Sequence, residues 1–286
     1  MSDAQILDRG YRRFAGRRSG VVGAVRSVAW HTVRSILGLG RSARHKVFPI
    51  IVLVVAFVPA IAFLAISVLL GDFGEEIRPE YWEFFGFSFV ATIVFVALVA
   101  PEAIVRDRRD GMFALYLSTP LTRTTYVLAK VLAVLGTMSL IVLGPPVLWL
   151  IGYTFQSQGP DTVLDWTGVM ARLLLAGLVI CIVYTAVSLG VASMTDRRAF
   201  ASIAVVFVMV GATIVTSLLV EVADLAEQWG VLDPLGVALE IAPRLFGDRS
   251  EDAQGLDTWL IVLGCVGWTG FGTALLVGRY RKLAAV

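Results

Sequence analysis

The chain has 286 residues, 57% of them hydrophobic and 16% charged, with a mean hydropathy of +0.81. Soluble domains carry about 25% charged residues, and a net charge of +2 supplies no field that would recruit nucleic acid. Two cysteines inside apolar runs, Cys181 and Cys265, and two histidines, His31 and His45, exclude a disulfide framework and a multi-histidine metal enzyme. A polytopic membrane protein is what remains.

Residues 1–46 read as a basic lead containing Arg12, Arg13, Arg17 and Arg18. Within it Val21, Val25, Val28, Ala29, Val33, Ile36 and Leu37 recur at helical spacing, with Arg26, Arg34 and Arg41 off that stripe. The pattern predicts an amphipathic helix suited to the headgroup plane or to a partner surface. No cleavable signal peptide is expected, because the first long apolar run follows this arginine-rich stretch.

A membrane-crossing helix needs roughly 20 mostly apolar residues. Six windows qualify, at about 47–70, 84–105, 126–153, 168–193, 199–220 and 259–278, and they define a six-span domain over 47–286. The third exceeds the minimum and must tilt, kink or project. Alternate flanks are rich in basic residues: Arg34, Arg41, Arg44 and Lys46; Arg106, Arg108, Arg109, Arg123 and Lys130; Arg197 and Arg198; Arg279, Arg281 and Lys282. The other flanks hold only Arg78, Arg172, Arg244 and Arg249. Basic residues collect on the cytoplasmic side, so both termini are expected in the cytoplasm, with Lys130 snorkelling to that surface.

The junction between spans two and three is the most informative stretch. Glu102 ends span two, Arg106-Asp107-Arg108-Arg109-Asp110 forms a charged collar, and Gly111 permits a sharp turn. Met112, Leu115 and Tyr116 then share one face of a short helix that Thr119-Pro120 terminates. A short amphipathic helix among alternating charges is shaped to receive a push from a partner. The same collar also has a plain topological use, because charges after a membrane helix anchor it to headgroups.

Elsewhere, Gly144-Pro145-Pro146 in span three predicts a kink, either static or a hinge. Arg172, early in span four, is placed to snorkel outward or to attract an anion near an exit. Tyr184, Thr185 and Ser188, with Thr213, Thr216 and Ser217, can line a path or hydrogen-bond between helices. Asp233-Pro234 looks like a helix start in the 221–258 loop, with Leu235, Leu239 and Ala242 on one face, Pro243 interrupting and Gly247 as a stop. Gly270, Ala274 and Gly278 recur every four residues on the last span, a spacing that favours close helix approach, either within the subunit or across a dimer.

No G-x-x-x-x-G-K-[ST] phosphate loop occurs, so ATP chemistry in this chain is not expected. The spans hold no histidine and no paired carboxylates, which argues against an intramembrane enzyme.

The Arg-Asp-Arg-Arg-Asp-Gly turn, the Leu-Ser-Thr-Pro-Leu-Thr-Arg run and the later Lys130 resemble the membrane-spanning subunits of type-2 ABC exporters. The resemblance covers the whole length. It implies an all-α membrane fold with an N-terminal interfacial helix, six spans, a cytoplasmic coupling helix and an outer helical element before the last span. It further implies a permease subunit without catalysis or cofactor of its own, the ATP and magnesium being held by a separate P-loop ATPase subunit. Arg106, Asp107, Arg108, Arg109, Asp110, Gly111, Phe113, Tyr116 and Pro120 are the coupling positions that follow from it, with Glu102 as a gate or pairing residue. Pro145, Pro146, Arg172, Tyr184, Ser188, Thr213 and Ser217 are path or hinge candidates. The expected partners are a second permease subunit, identical or related, and membrane lipids, in the plasma membrane. A non-transporting scaffold or sensor with the same fold is the competing reading.

Overall fold

The structure is a computed structural model that describes residues 20–70, 78–223, 226–250 and 255–282. The basic lead before residue 20 and most of the first acidic loop, with Asp72, Glu75 and Glu76, lie outside the described residues. All regular structure among the described residues is helical: α1 (Gly20–Ile36), α2 (Arg44–Leu70), α3 (Glu83–Phe87), α4 (Phe89–Arg109), α5 (Met112–Leu117), α6 (Arg123–Phe155), α7 (Val163–Ser193), α8 (Arg198–Ser217), α9 (Pro234–Phe246) and α10 (Thr258–Lys282). Six of these, α2, α4, α6, α7, α8 and α10, are long and apolar enough to cross a membrane.

The helix ends follow local chemistry. Thr122 caps α6 through a capping box with Thr125, and the Thr162 hydroxyl accepts from the backbone of Asp165 at the start of α7. Asp233 caps α9 with Pro234 in its first turn, and Gly247, in the left-handed conformation at φ 86°, stops it. Pro243 does not interrupt α9, which runs on to Phe246. The second apolar window differs more, because the chain breaks at Ser88 into the five-residue α3 and the long α4. Phe84 and Phe85 of α3 are buried, and Phe84 sits 4.7 Å from Trp149, so aromatic packing holds the break in place.

α7 is the central element. Its buried face runs from Leu173 to Ser193 and touches α4, α6, α8, α9 and α10. The tightest approach is between α7 and α10. A Cβ on Gly272 would stand 2.2 Å from the Ala186 carbonyl oxygen, and one on Gly190 would stand 2.4 Å from the Gly272 carbonyl oxygen. Only glycine lets two backbones meet this closely. The Gly270, Ala274 and Gly278 stripe does not make this contact: Gly270 and Gly278 have open space where a Cβ would go, and Gly270 and Ala274 are exposed.

Prolines sit inside α2, α4 and α6 without ending them. Pro145 and Pro146 are buried in a helix that continues for another nine residues to Phe155. Apolar helices tolerate proline because neighbouring helices and local adjustment satisfy the freed carbonyls.

Candidate functional site

The basic end of the bundle gathers residues from five other helices around the α4–α5 junction. Gly111 has φ 67°, a left-handed turn that a side chain resists, and it reverses the chain from α4 into the six-residue α5. The charged collar preceding it splits into an inward and an outward face.

Three inward groups tie the junction to the bundle. Glu102, with 9% of its side chain exposed, pairs with Arg106 at 2.7 Å, Arg198 at 2.9 Å and Arg41 at 3.0 Å. Arg41 also donates to the Ser35 hydroxyl at 2.6 Å. One carboxylate thus joins α4, the α1–α2 connection and the start of α8. Asp107 pairs with Lys130 of α6 at 2.7 Å and accepts from the Tyr126 hydroxyl at 2.9 Å. Lys130 in turn donates to Thr32 of α1 at 2.9 Å and lies 5.5 Å from the Tyr126 ring centre. Arg108, 7% exposed, donates to the carbonyls of Ser193 at 2.7 Å and Thr195 at 2.6 Å and stands 3.5 Å from Asp196. It thereby satisfies orphan carbonyls at the end of α7 and adds a positive charge where the helix dipole is negative. Asp196 also reaches Arg279 of α10 at 3.5 Å.

Lys130 therefore does not snorkel. Its side chain is 3% exposed and its ammonium is spent on Asp107 and Thr32. Burying a charge is costly unless it is paired and hydrogen-bonded, and both conditions are met here.

Arg109, Asp110, Gly111, Leu115, Ser118, Thr119 and Pro120 form the outward face, all exposed, with Leu115 at 59%. Leu115 does not share the buried side of α5 with Tyr116, because consecutive residues of an α-helix point about 100° apart. Tyr116 is half-buried, its ring centre 5.5 Å from that of Tyr126 with the two rings tilted by 36°. Burial, then the Asp107 carboxylate nearby, raises the Tyr116 phenol above its ordinary value, so it stays a neutral hydroxyl. The Phe113 side chain lies outside what is described. A cavity of about 450 Å³ opens between α1 and α5, with Arg34, Arg41, Glu102, Asp110, Tyr116 and Lys130 in its wall.

The path and hinge candidates lie apart from this junction. Tyr184 is fully buried and donates to the Leu235 carbonyl of α9 at 3.1 Å, and Ser188 donates to the Thr185 carbonyl of its own helix at 3.2 Å. Thr213 donates to Asp233 at 2.6 Å, joining α8 to the α9 cap. Ser217 lines a cavity of about 550 Å³ at the opposite end, together with Trp82, Asp233 and Glu240. The Arg172 guanidinium lies 5.7 Å from the Phe246 ring centre, over the end of α9. Pro145 and Pro146 are packed within α6.

Sequence reading did not single out Ser35, Thr32, Tyr126, Asp196, Arg198 or Arg279 as members of the junction. Their partners lie well away in the chain, 67 residues for Ser35 with Glu102, 98 for Thr32 with Lys130 and 19 for Tyr126 with Asp107. Periodicity carries no signal at such separations.

Residues 80–276 match the family described as ABC-2 family transporter protein. Comparison with curated proteins returns no match.

Proposed function

The chain belongs to the ABC-2 transporter family and is a multi-pass membrane permease, and from that premise we propose that it forms the translocation path of an ATP-driven exporter whose motor is a separate P-loop ATPase subunit. The single observation that supports this reading most strongly is the two-faced junction. Leu115 of α5 stands exposed at the basic end of the bundle, while Glu102, Asp107 and Arg108 lock the base of α5 to the surrounding helices. A force applied to Arg109, Asp110 and Leu115 is handed to α1, α6, α7, α8 and α10 as a rigid-body displacement. The sequence holds no phosphate loop, which supports assigning ATP and magnesium to the partner chain.

The basic end is cytoplasmic in this reading, by the arginine and lysine asymmetry of the loops, and the membrane is the plasma membrane. The path runs between two copies, or between this chain and a similar one. The tight interior supports that choice, since Tyr184 and Ser188 are consumed by contacts within the bundle. α8 also leaves most of its surface uncovered, with only Ala201, Val205, Met209 and Thr216 buried among its 20 residues. Arg172, Thr213 and Ser217 lie near the outer mouth, and Pro145 and Pro146 form the hinge region of α6.

The test is purification of the tagged chain from its native membrane in mild detergent, with mass spectrometry of what accompanies it. A stoichiometric P-loop ATPase is expected, and Arg109→Glu combined with Leu115→Asp should abolish its recovery while the permease still elutes as folded protein. Undiminished recovery with that double variant would reject α5 as the docking element.

A further inference from the structure

α6, α7 and α10 enclose a groove of about 350 Å³ that plays no part in the junction described above. Its floor is low because Thr185 and Ala186 of α7 and Thr273 of α10 are small, and because the Gly190–Gly272 contact draws those two helices together. Its walls are aliphatic, formed by Val127, Val131 and Leu135 on α6 and by Leu276 and Val277 on α10. No acidic side chain lines it among the described residues.

The ends of the groove differ in kind. One end carries Arg123 and Arg281, both exposed, on the first turn of α6 and the last turn of α10. The α6 N-terminus adds the positive end of a 33-residue helix dipole at the same place. The other end carries no charge and is formed by Leu135, Ile182 and Thr269. From Arg123 to Leu135 the helix rises about 18 Å, which is close to half of the roughly 30 Å hydrocarbon thickness of a bilayer. A slot one leaflet deep, aliphatic along its length and doubly cationic at its mouth, matches one chemistry.

We propose that this groove holds a phospholipid with an anionic headgroup, its acyl chain lying along α7 and its phosphate between Arg123 and Arg281. The lipid belongs to whichever leaflet meets the basic end of the bundle, and that identity rests on the orientation given under Proposed function. Occupancy of the groove does not. A bound chain would fill the gap between α6 and α10 and so brace the helix that carries Lys130 against the helix that carries Arg279.

Native mass spectrometry of the full chain, released from detergent after titration with phosphatidylglycerol or with phosphatidylcholine of the same acyl chains, tests this directly. One phosphatidylglycerol is expected to be retained in preference to phosphatidylcholine, by about fivefold for each arginine engaged. Arg123→Gln with Arg281→Gln should bring the two lipids to parity, and Thr273→Trp, which fills the groove, should remove retention of both. Circular dichroism and size exclusion confirm that each variant is folded. Equal retention of the two lipids by the unmodified chain, or unchanged retention by a folded Thr273→Trp protein, overturns the proposal. A co-purifying single-span helix that occupies the groove in place of lipid, located by crosslinking at position 273, overturns it as well. Loss of the ATPase interaction is a separate readout, so failure of this site and failure of the exporter reading are distinguishable.

Discussion

Lys130 lies 2.7 Å from Asp107 and shows 3% of its side chain to solvent, an arrangement that carries its own energetic signature. Removing one member of a buried ion pair strands the other and costs about 3–5 kcal/mol, whereas replacing both with apolar residues is often nearly neutral. Lys130→Ala or Asp107→Ala alone should therefore lower thermal stability sharply, and Lys130→Met with Asp107→Leu should recover most of the loss. Fluorescence-detected size exclusion after heating measures this, and strict additivity of the two single effects would contradict the pairing. Glu102 behaves differently because its three arginines vary in exposure. Arg198, 55% exposed, should contribute under about 1 kcal/mol, while Glu102→Ala removes the acceptor common to all three. The presence of charge at these positions was legible in the sequence. The partners were not, because a carboxylate on α4 has arginines and lysines available on every alternate flank and only packing selects among them.

Helix α10 carries two small-residue edges, of which one makes the close contact within the chain. Its length and composition identify it as a span, and the small residues every four positions at Gly270, Ala274 and Gly278 suggest the packing edge. The edge in use is set two residues away at Gly272, where the backbone of α7 passes. Gly272→Ala should accordingly cost about 1–3 kcal/mol through overpacking against backbone that has no room to yield. Gly270→Ala, in open space, should fall within about 0.5 kcal/mol of the parent. Melting temperatures of the two purified variants decide the matter, and equal effects would place the helix contact elsewhere. Turn chemistry was more reliable. Gly111, Asp233 and Gly247 all do what their residue types foretell, since caps and left-handed turns depend on neighbours within four residues.

On the scale of the whole molecule, the junction divides positions of similar sequence into two mechanical classes. Arg108 and Arg109 are adjacent and alike in charge, but Arg108 closes the end of α7 while Arg109 faces outward. Arg108→Ala should reduce stability by about 1.5–3 kcal/mol, the worth of hydrogen bonds from a charged donor, and should leave the affinity of the folded fraction for the proposed ATPase partner unchanged. Arg109→Ala should do the reverse. Thermal unfolding paired with quantitative pull-down of the partner separates the two, and a loss of stability with Arg109→Ala would erase the distinction.

Membrane class, the number of spans, their approximate limits and the location of the charged turn all follow from composition and short-range pattern. Hydrocarbon thickness, helix rise and the burial cost of charge act on consecutive residues, so they leave their mark on consecutive residues. The break at Ser88, the path of α6 through Pro145 and Pro146, the Gly190–Gly272 contact and the inward turn of Asp107, Arg108 and Lys130 were decided by packing. Each depends on which surface of one helix meets which surface of another. Asp107, Arg108 and Lys130 are held inward because their partners arrive from other helices, and that coincidence exists only in three dimensions.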